Sequence, residues 1–173
     1  MSRLIVCLLA IITYAGDKSA EAINGFIDVK FGTKFDETKS LLMEKPGFKT
    51  GIDRSTAQQF IAYQAQVYGF KVKNVVDFKD GQVIEVRSTL RDRSPKTLGT
   101  CRTRFATLLD NLKGDYQSFK LVTNTQNFDG LVTENGYLIF EDKTHIHLQM
   151  DFFSAECGVN IKFAGKPPSF LDF

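Results

Sequence analysis

One run of nine residues constrains the fold more than any other. In His145–Phe153, the residues Ile146, Leu148, Met150 and Phe152 alternate with His145, His147, Gln149 and Asp151. Side chains of a strand alternate between its two faces, so this pattern describes a strand with one apolar and one polar side. A chain built on such strands must make a sheet with one face buried. Residues 69–78 repeat the arrangement, with Phe70, Val72, Val76 and Phe78 at even positions set against Lys71, Lys73, Asp77 and Lys79.

Further strands are expected over 23–31, 59–67, 82–89, 117–123, 130–134, 137–141 and 158–163. Asp80-Gly81 turns the chain. A three-residue loop there, with Gly81 left-handed, places Ile84 and Val86 on the face of Val76 and Phe78. Asn135-Gly136 reads as a hairpin turn, and 48–56 as a loop.

Two segments carry helical spacing instead. Phe35, Thr38, Leu41 and Leu42 share one face, with Thr33 as the expected cap and Lys45-Pro46-Gly47 as the stop. Leu98, Cys101, Phe105, Leu108, Leu109 and Leu112 form a second stripe, opened by Ser94-Pro95 and stopped by Gly114. The order strand, helix, strands, helix, strands predicts an α+β fold, with helices packed on antiparallel β-sheet. The chain has 173 residues, enough for one ordinary core. One domain is expected over 23–173, with an internal helix-plus-strands pseudo-repeat. Its halves lie at about 23–92 and 93–165, and Gly165-Lys166-Pro167-Pro168 opens a short tail.

The N-terminus bears on the compartment. Arg3 precedes the apolar run Leu4 to Ile12, which continues through Thr13 and Tyr14 to Ala15. A basic start, an apolar stretch and then small residues make a secretory signal over 1–22. The run is shorter than the ~20 residues that span a bilayer, and no later segment approaches that length. Ala20-Glu21-Ala22 predicts a mature start at Ile23, with Thr13-Tyr14-Ala15 as the weaker cleavage point; Val6 before Cys7 does not suit a lipobox. Removing 1–22 takes out two basic and two acidic groups, so the formal charge of +2 is unchanged. The protein is expected to be periplasmic or secreted. Export leaves Cys101 and Cys157, which in an oxidising compartment read as a disulfide.

Phe31-Gly32-Thr33-Lys34-Phe35-Asp36-Glu37-Thr38-Lys39 resembles the FGMS-x-x-E-V helix start of small exported bacterial envelope proteins. Tyr68-Gly69-Phe70, with Phe78-Lys79-Asp80-Gly81-Gln82-Val83, resembles the hairpin that follows that helix. The pattern is similar to the outer-membrane small-lipoprotein family of the barrel-assembly machine, and to β-lactamase-inhibitor-protein-type repeats. The resemblance covers about a third of the chain. It implies helices on antiparallel sheets and a role in binding proteins, and it carries over no functional residue.

Two clusters could support chemistry. His145 and His147 point to one face of their strand with Asp151, the beginning of a metal site or else a polar solvent face. Five of the seven arginines, Arg87, Arg91, Arg93, Arg102 and Arg104, fall within one stretch around a helix start. Such a group suits an acidic ligand or partner, or else a solvated surface. No Gly-x-Ser-x-Gly, His-Glu-x-x-His or phosphate-loop pattern occurs. The residues therefore favour a non-enzymatic protein and call for no cofactor. Near-neutral charge and export argue against nucleic acid. The expected function is an exported interaction module, envelope-associated or inhibitor-like, with another protein as its partner. The alternative is an exported protein that binds a small ligand, an anion or a metal.

Overall fold

The computed structural model describes residues 10–13, 25–26, 29–92 and 97–164. The strands are β1 (Ala10–Thr13), β2 (Gly25–Phe26), β3 (Val29–Lys30), β4 (Lys49–Ile52), β5 (Gln59–Val67), β6 (Phe70–Lys79), β7 (Gln82–Asp92), β8 (Lys120–Phe128), β9 (Leu131–Ile139), β10 (His145–Phe153) and β11 (Glu156–Ala164). The helices are α1 (Phe35–Leu42) and α2 (Leu98–Asp115). Nine strands form one antiparallel sheet in the order β1-β8-β9-β10-β11-β7-β6-β5-β4, and β2 and β3 pair with each other.

This overturns the α+β expectation. The described residues are predominantly β, organised as one continuous sheet, and contain only two helices, one of them eight residues long. Two misread segments account for much of the difference. Residues 48–56, expected as loop, supply β4. Asn135-Gly136, expected as a hairpin turn, lies in the middle of the unbroken strand β9, and Asp129-Gly130 makes the turn instead. A Cβ at Gly136 would stand 3.2 Å from a Leu109 methyl and 3.6 Å from the Phe105 ring, both on α2. Glycine here serves close approach of the helix to the strand, not a reversal.

Each helix precedes four strands: α1 then β4 to β7, α2 then β8 to β11. The last strands of the two sets, β7 and β11, pair antiparallel, with Val86 opposite Phe163 and Ser88 opposite Ile161. One core serves both sets. Leu121, Leu138, Ile146, Leu148, Ile161, Val86, Val76 and Ile61 join Phe105, Leu108 and Leu112 of α2 and Leu42 of α1. Phe35 meets Phe78 edge-on at 5.0 Å, and Phe26 stacks on Phe163 at 4.0 Å.

The helix boundaries correct the expected caps. Lys34, not Thr33, stands at the N-cap of α1, without a side-chain cap bond. α2 starts at a capping box between Thr97 and Thr100. Ser94 and Pro95 lie outside the described residues. Gly114 does not stop α2, which runs to Asp115.

The β6–β7 turn also differs. Lys79 pairs with Gln82, so Asp80-Gly81 is a strict two-residue turn, with φ of +53° and +73°. The extra residue sits in β7 as a bulge between the Asp77–Glu85 and Phe78–Val83 pairs. Val86 still faces Val76, but Val83 goes inward and Ile84 turns out.

Cys101 and Cys157 form a disulfide with Cα atoms 5.8 Å apart. It ties the first turns of α2 to the start of β11, and both cysteines are buried.

Candidate interaction surface

The sheet face away from the apolar core can be read off the register. One cross-strand row runs Val122, Tyr137, His147, Lys162, Arg87, Val75, Ala62 and Lys49, one residue from each strand between β8 and β4. A second row runs Asn124, Asn135, Gln149, Asn160, Thr89, Lys73 and Gln64. Amides, hydroxyls and cations dominate the second row, as expected where alternation sends the apolar residues to the other side.

The two ends of this face differ. On β8 to β11, Val122, Tyr137, Asn135 and His145 are buried. His147 stacks on the Tyr137 ring at 4.2 Å, nearly parallel. Asn135 Nδ2 donates to Asn124 Oδ1 at 2.8 Å, leaving Asn135 Oδ1 as the acceptor for His147 Nε2–H, also at 2.8 Å. The hydrogen-bond chain therefore places a proton on Nε2 of His147. Burial, then the charges of His145 and Lys162, push His147 down to about 4. Burial, then Lys162, does the same for His145, also to about 4, and His145 Nδ1 has no hydrogen-bond partner among the described residues.

These contacts engage two groups of the candidate metal site. Asp151 accepts from Thr133 Oγ1 at 2.8 Å and from Gln149 Nε2 at 3.0 and 2.9 Å. His147 is engaged by Asn135. Among the described residues, no group of three His, Cys, Asp or Glu side chains is placed to hold a metal. His145, His147 and Asp151 share a strand face, as alternation requires; His147 and Asp151 take part in its hydrogen bonds.

The described arginines of the candidate cluster fall on a strand and on a helix. Arg87 lies on the polar face, where Nε and Nη2 donate to Asp77 at 2.7 and 2.9 Å, with Glu85 at 3.4 Å. Those bonds, led by Asp77, hold the guanidinium further toward its charged form. Lys162 bridges Glu85 at 2.7 Å, so two cations and two carboxylates form one network across β6, β7 and β11. Arg102 instead lies on α2 and pairs with Glu134, which belongs to the other face of β9. Arg104 is also on α2. Arg91 falls on β7 opposite Gly158, and Arg93 lies outside the described residues. Closeness in sequence scattered these residues because a strand and a helix on opposite sides of the sheet share the stretch.

Two features of the polar face depend on register and were missed. At its β8–β10 end, Phe128 pairs with Leu131, and Leu131 lies one step beyond the Phe152–Val132 pair, beside Phe153. Alternation puts all three side chains on the polar face. Phe128 is 70% exposed and Phe153 55%, with Leu131 half-buried between them. A phenylalanine directly before Asp129-Gly130 is the one hint in the sequence.

At the other end, a cleft of about 510 Å³ is lined by Gln64, Lys71, Lys73, Val75 and Thr89, with Val72. A second cleft, of about 470 Å³, shares Gln64 and Lys71 and continues around the β5 edge to Lys45 and Pro46. The Pro46 carbonyl accepts from the Gln64 backbone N–H at 2.7 Å, fixing that wall.

Comparison with protein-family models, curated proteins and solved structures finds no match to this chain.

Proposed function

We propose that the chain is an exported, non-enzymatic protein-interaction module that docks its partner on the polar face of the sheet. The observation carrying this reading is the exposed row Phe128, Leu131 and Phe153. Exposed aromatic side chains on a rigid framework are the usual anchors of protein interfaces, because they bury much area for little lost rotamer freedom. Antiparallel pairing holds these anchors, with polar residues behind them, giving the apolar centre and polar rim of a docking patch.

Two experiments test the reading. The full chain and a Phe128→Ser/Phe153→Ser variant are immobilised and exposed to envelope extract of the source organism. A protein held by the wild type and released by the variant is expected. Identical capture by both, or none by either, refutes the docking face. Export is tested separately, by sequencing the N-terminus of the protein recovered outside the cytoplasm. Ile23 is the expected first residue, a start that removes β1 and leaves β8 at that edge of an eight-stranded sheet, and retention of Met1 refutes processing.

A further inference from the structure

We infer that the lysine-lined groove across β5 to β7 is a second contact on the same face, and that its occupant is an extended acidic segment of the partner. The inference rests on the docking role just proposed and names the chemistry of what docks.

The groove is built by three neighbouring strands. Lys73 lies opposite Gln64 on one side and Thr89 on the other, and Lys71 lies opposite Gln66. Two amines, a side-chain amide and a hydroxyl therefore converge, and each can donate to a carboxylate. No residue lining either cleft is acidic, and among the described residues no carboxylate pairs with Lys71 or Lys73. This separates them from Arg87 and Lys162 on the same face, whose charges Asp77 and Glu85 already meet.

Shape selects the occupant. The two clefts share Gln64 and Lys71 and together run from Thr89, around the β5 edge, to Lys45-Pro46. A trough of that form follows an extended chain, with successive carboxylates over successive lysines. The exposed aromatic row lies within reach of the same partner. Three strand spacings separate β10 from β6, about 14 Å, and four residues separate Gln149 from Phe153, about 13 Å. Together they span roughly 20 Å, inside a standard interface of about 800 Å² per partner. The apolar row supplies the anchor, and the cationic groove supplies steering and orientation.

The test uses the full chain with its disulfide formed and a fluorescein-labelled peptide of alternating glutamate and serine, followed by anisotropy. A glutamine–serine peptide is the neutral control. Expected results are binding of the acidic peptide alone, weakening at least fivefold between 50 and 300 mM salt, and at least tenfold in Lys71→Glu/Lys73→Glu. Lys71→Gln/Lys73→Gln, with charge removed and not reversed, should fall between wild type and that variant. Thermal melting confirms that both variants fold. Equal binding by the charge-reversed variant, or binding of the neutral peptide, overturns the inference, as does failure of the wild type to bind. Inorganic phosphate that displaces the peptide at equal charge concentration also overturns it, since the site then takes an isolated anion. Peptide binding without any captured partner would sink the module reading and leave the groove intact.

Discussion

The buried histidines should make the fold acid-sensitive well above the carboxylate range. His145 is 2% exposed and held at about 4 in the folded chain, against an ordinary value of 6.5. The unfolded chain binds a proton on this ring near pH 6.5, and the folded chain resists one until about 4. Stability from keeping the ring neutral is therefore full above pH 6.5 and is lost as pH falls toward 4. Between pH 7 and pH 5 the loss is about 2 kcal/mol for this one ring. His147 follows the same sign, and repulsion between the two rings makes their sum less than additive. The assay is urea unfolding of wild type and His145→Leu at both pH values. With a urea slope of about 2 kcal/mol/M, wild type should lose about 1 M more in midpoint than the variant. Carboxylates titrate in both proteins, so the difference reports His145 together with its repulsion of His147. Equal losses in the two proteins would refute the argument.

Three further outcomes are expected. Cys101→Ser/Cys157→Ser opens a cross-link with a sequence separation of 56 and should lower stability by up to about 4 kcal/mol, read as the gap between variant and oxidised wild-type unfolding curves. Ser154 and Ala155 both hold positive φ, +49° and +63°, in the β10–β11 turn. Ser154→Asn/Ala155→Gly should raise stability by about 1 kcal/mol by calorimetry, since Asn-Gly suits that turn. Arg87→Met leaves Asp77, 7% exposed, without its two guanidinium bonds. It should cost about 1–3 kcal/mol by urea unfolding, and adding Asp77→Asn should restore part of it; a double variant worse than the single contradicts that account.

Strand patterns were legible where alternation is strong, as in β6 and β10, because burial on one face forces a period of two. The cysteine pairing was legible from two cysteines and an inferred compartment. Asn135-Gly136 misled because local turn preference yielded to packing: α2 approaches β9 there, and Asn135 is needed to hold Asn124 and His147. Parity points to a three-residue loop at Asp80-Gly81, but the chain keeps a two-residue turn and restores parity by a bulge that local sequence does not announce. The polar-face sites were illegible for a different reason. Phe128 and Phe153 are 25 positions apart in sequence, and only hairpin register brings them into one row. Arg87 and Arg102 show the reverse, neighbours in the chain that the sheet separates.

The β7–β11 junction also sets the order in which the molecule can be completed. β11 is the last strand in the described chain, yet it sits at the middle of the sheet, beside β7. During synthesis, β4 to β7 emerge first and can pair among themselves. The outer edge of β7 then waits through some sixty residues before its partner is made. An eleven-residue strand with an open edge is a template for another chain. Nascent or truncated chains lacking β11 are thus the species most exposed to mispairing, and release of a chain through Ala164 is the step that closes the sheet.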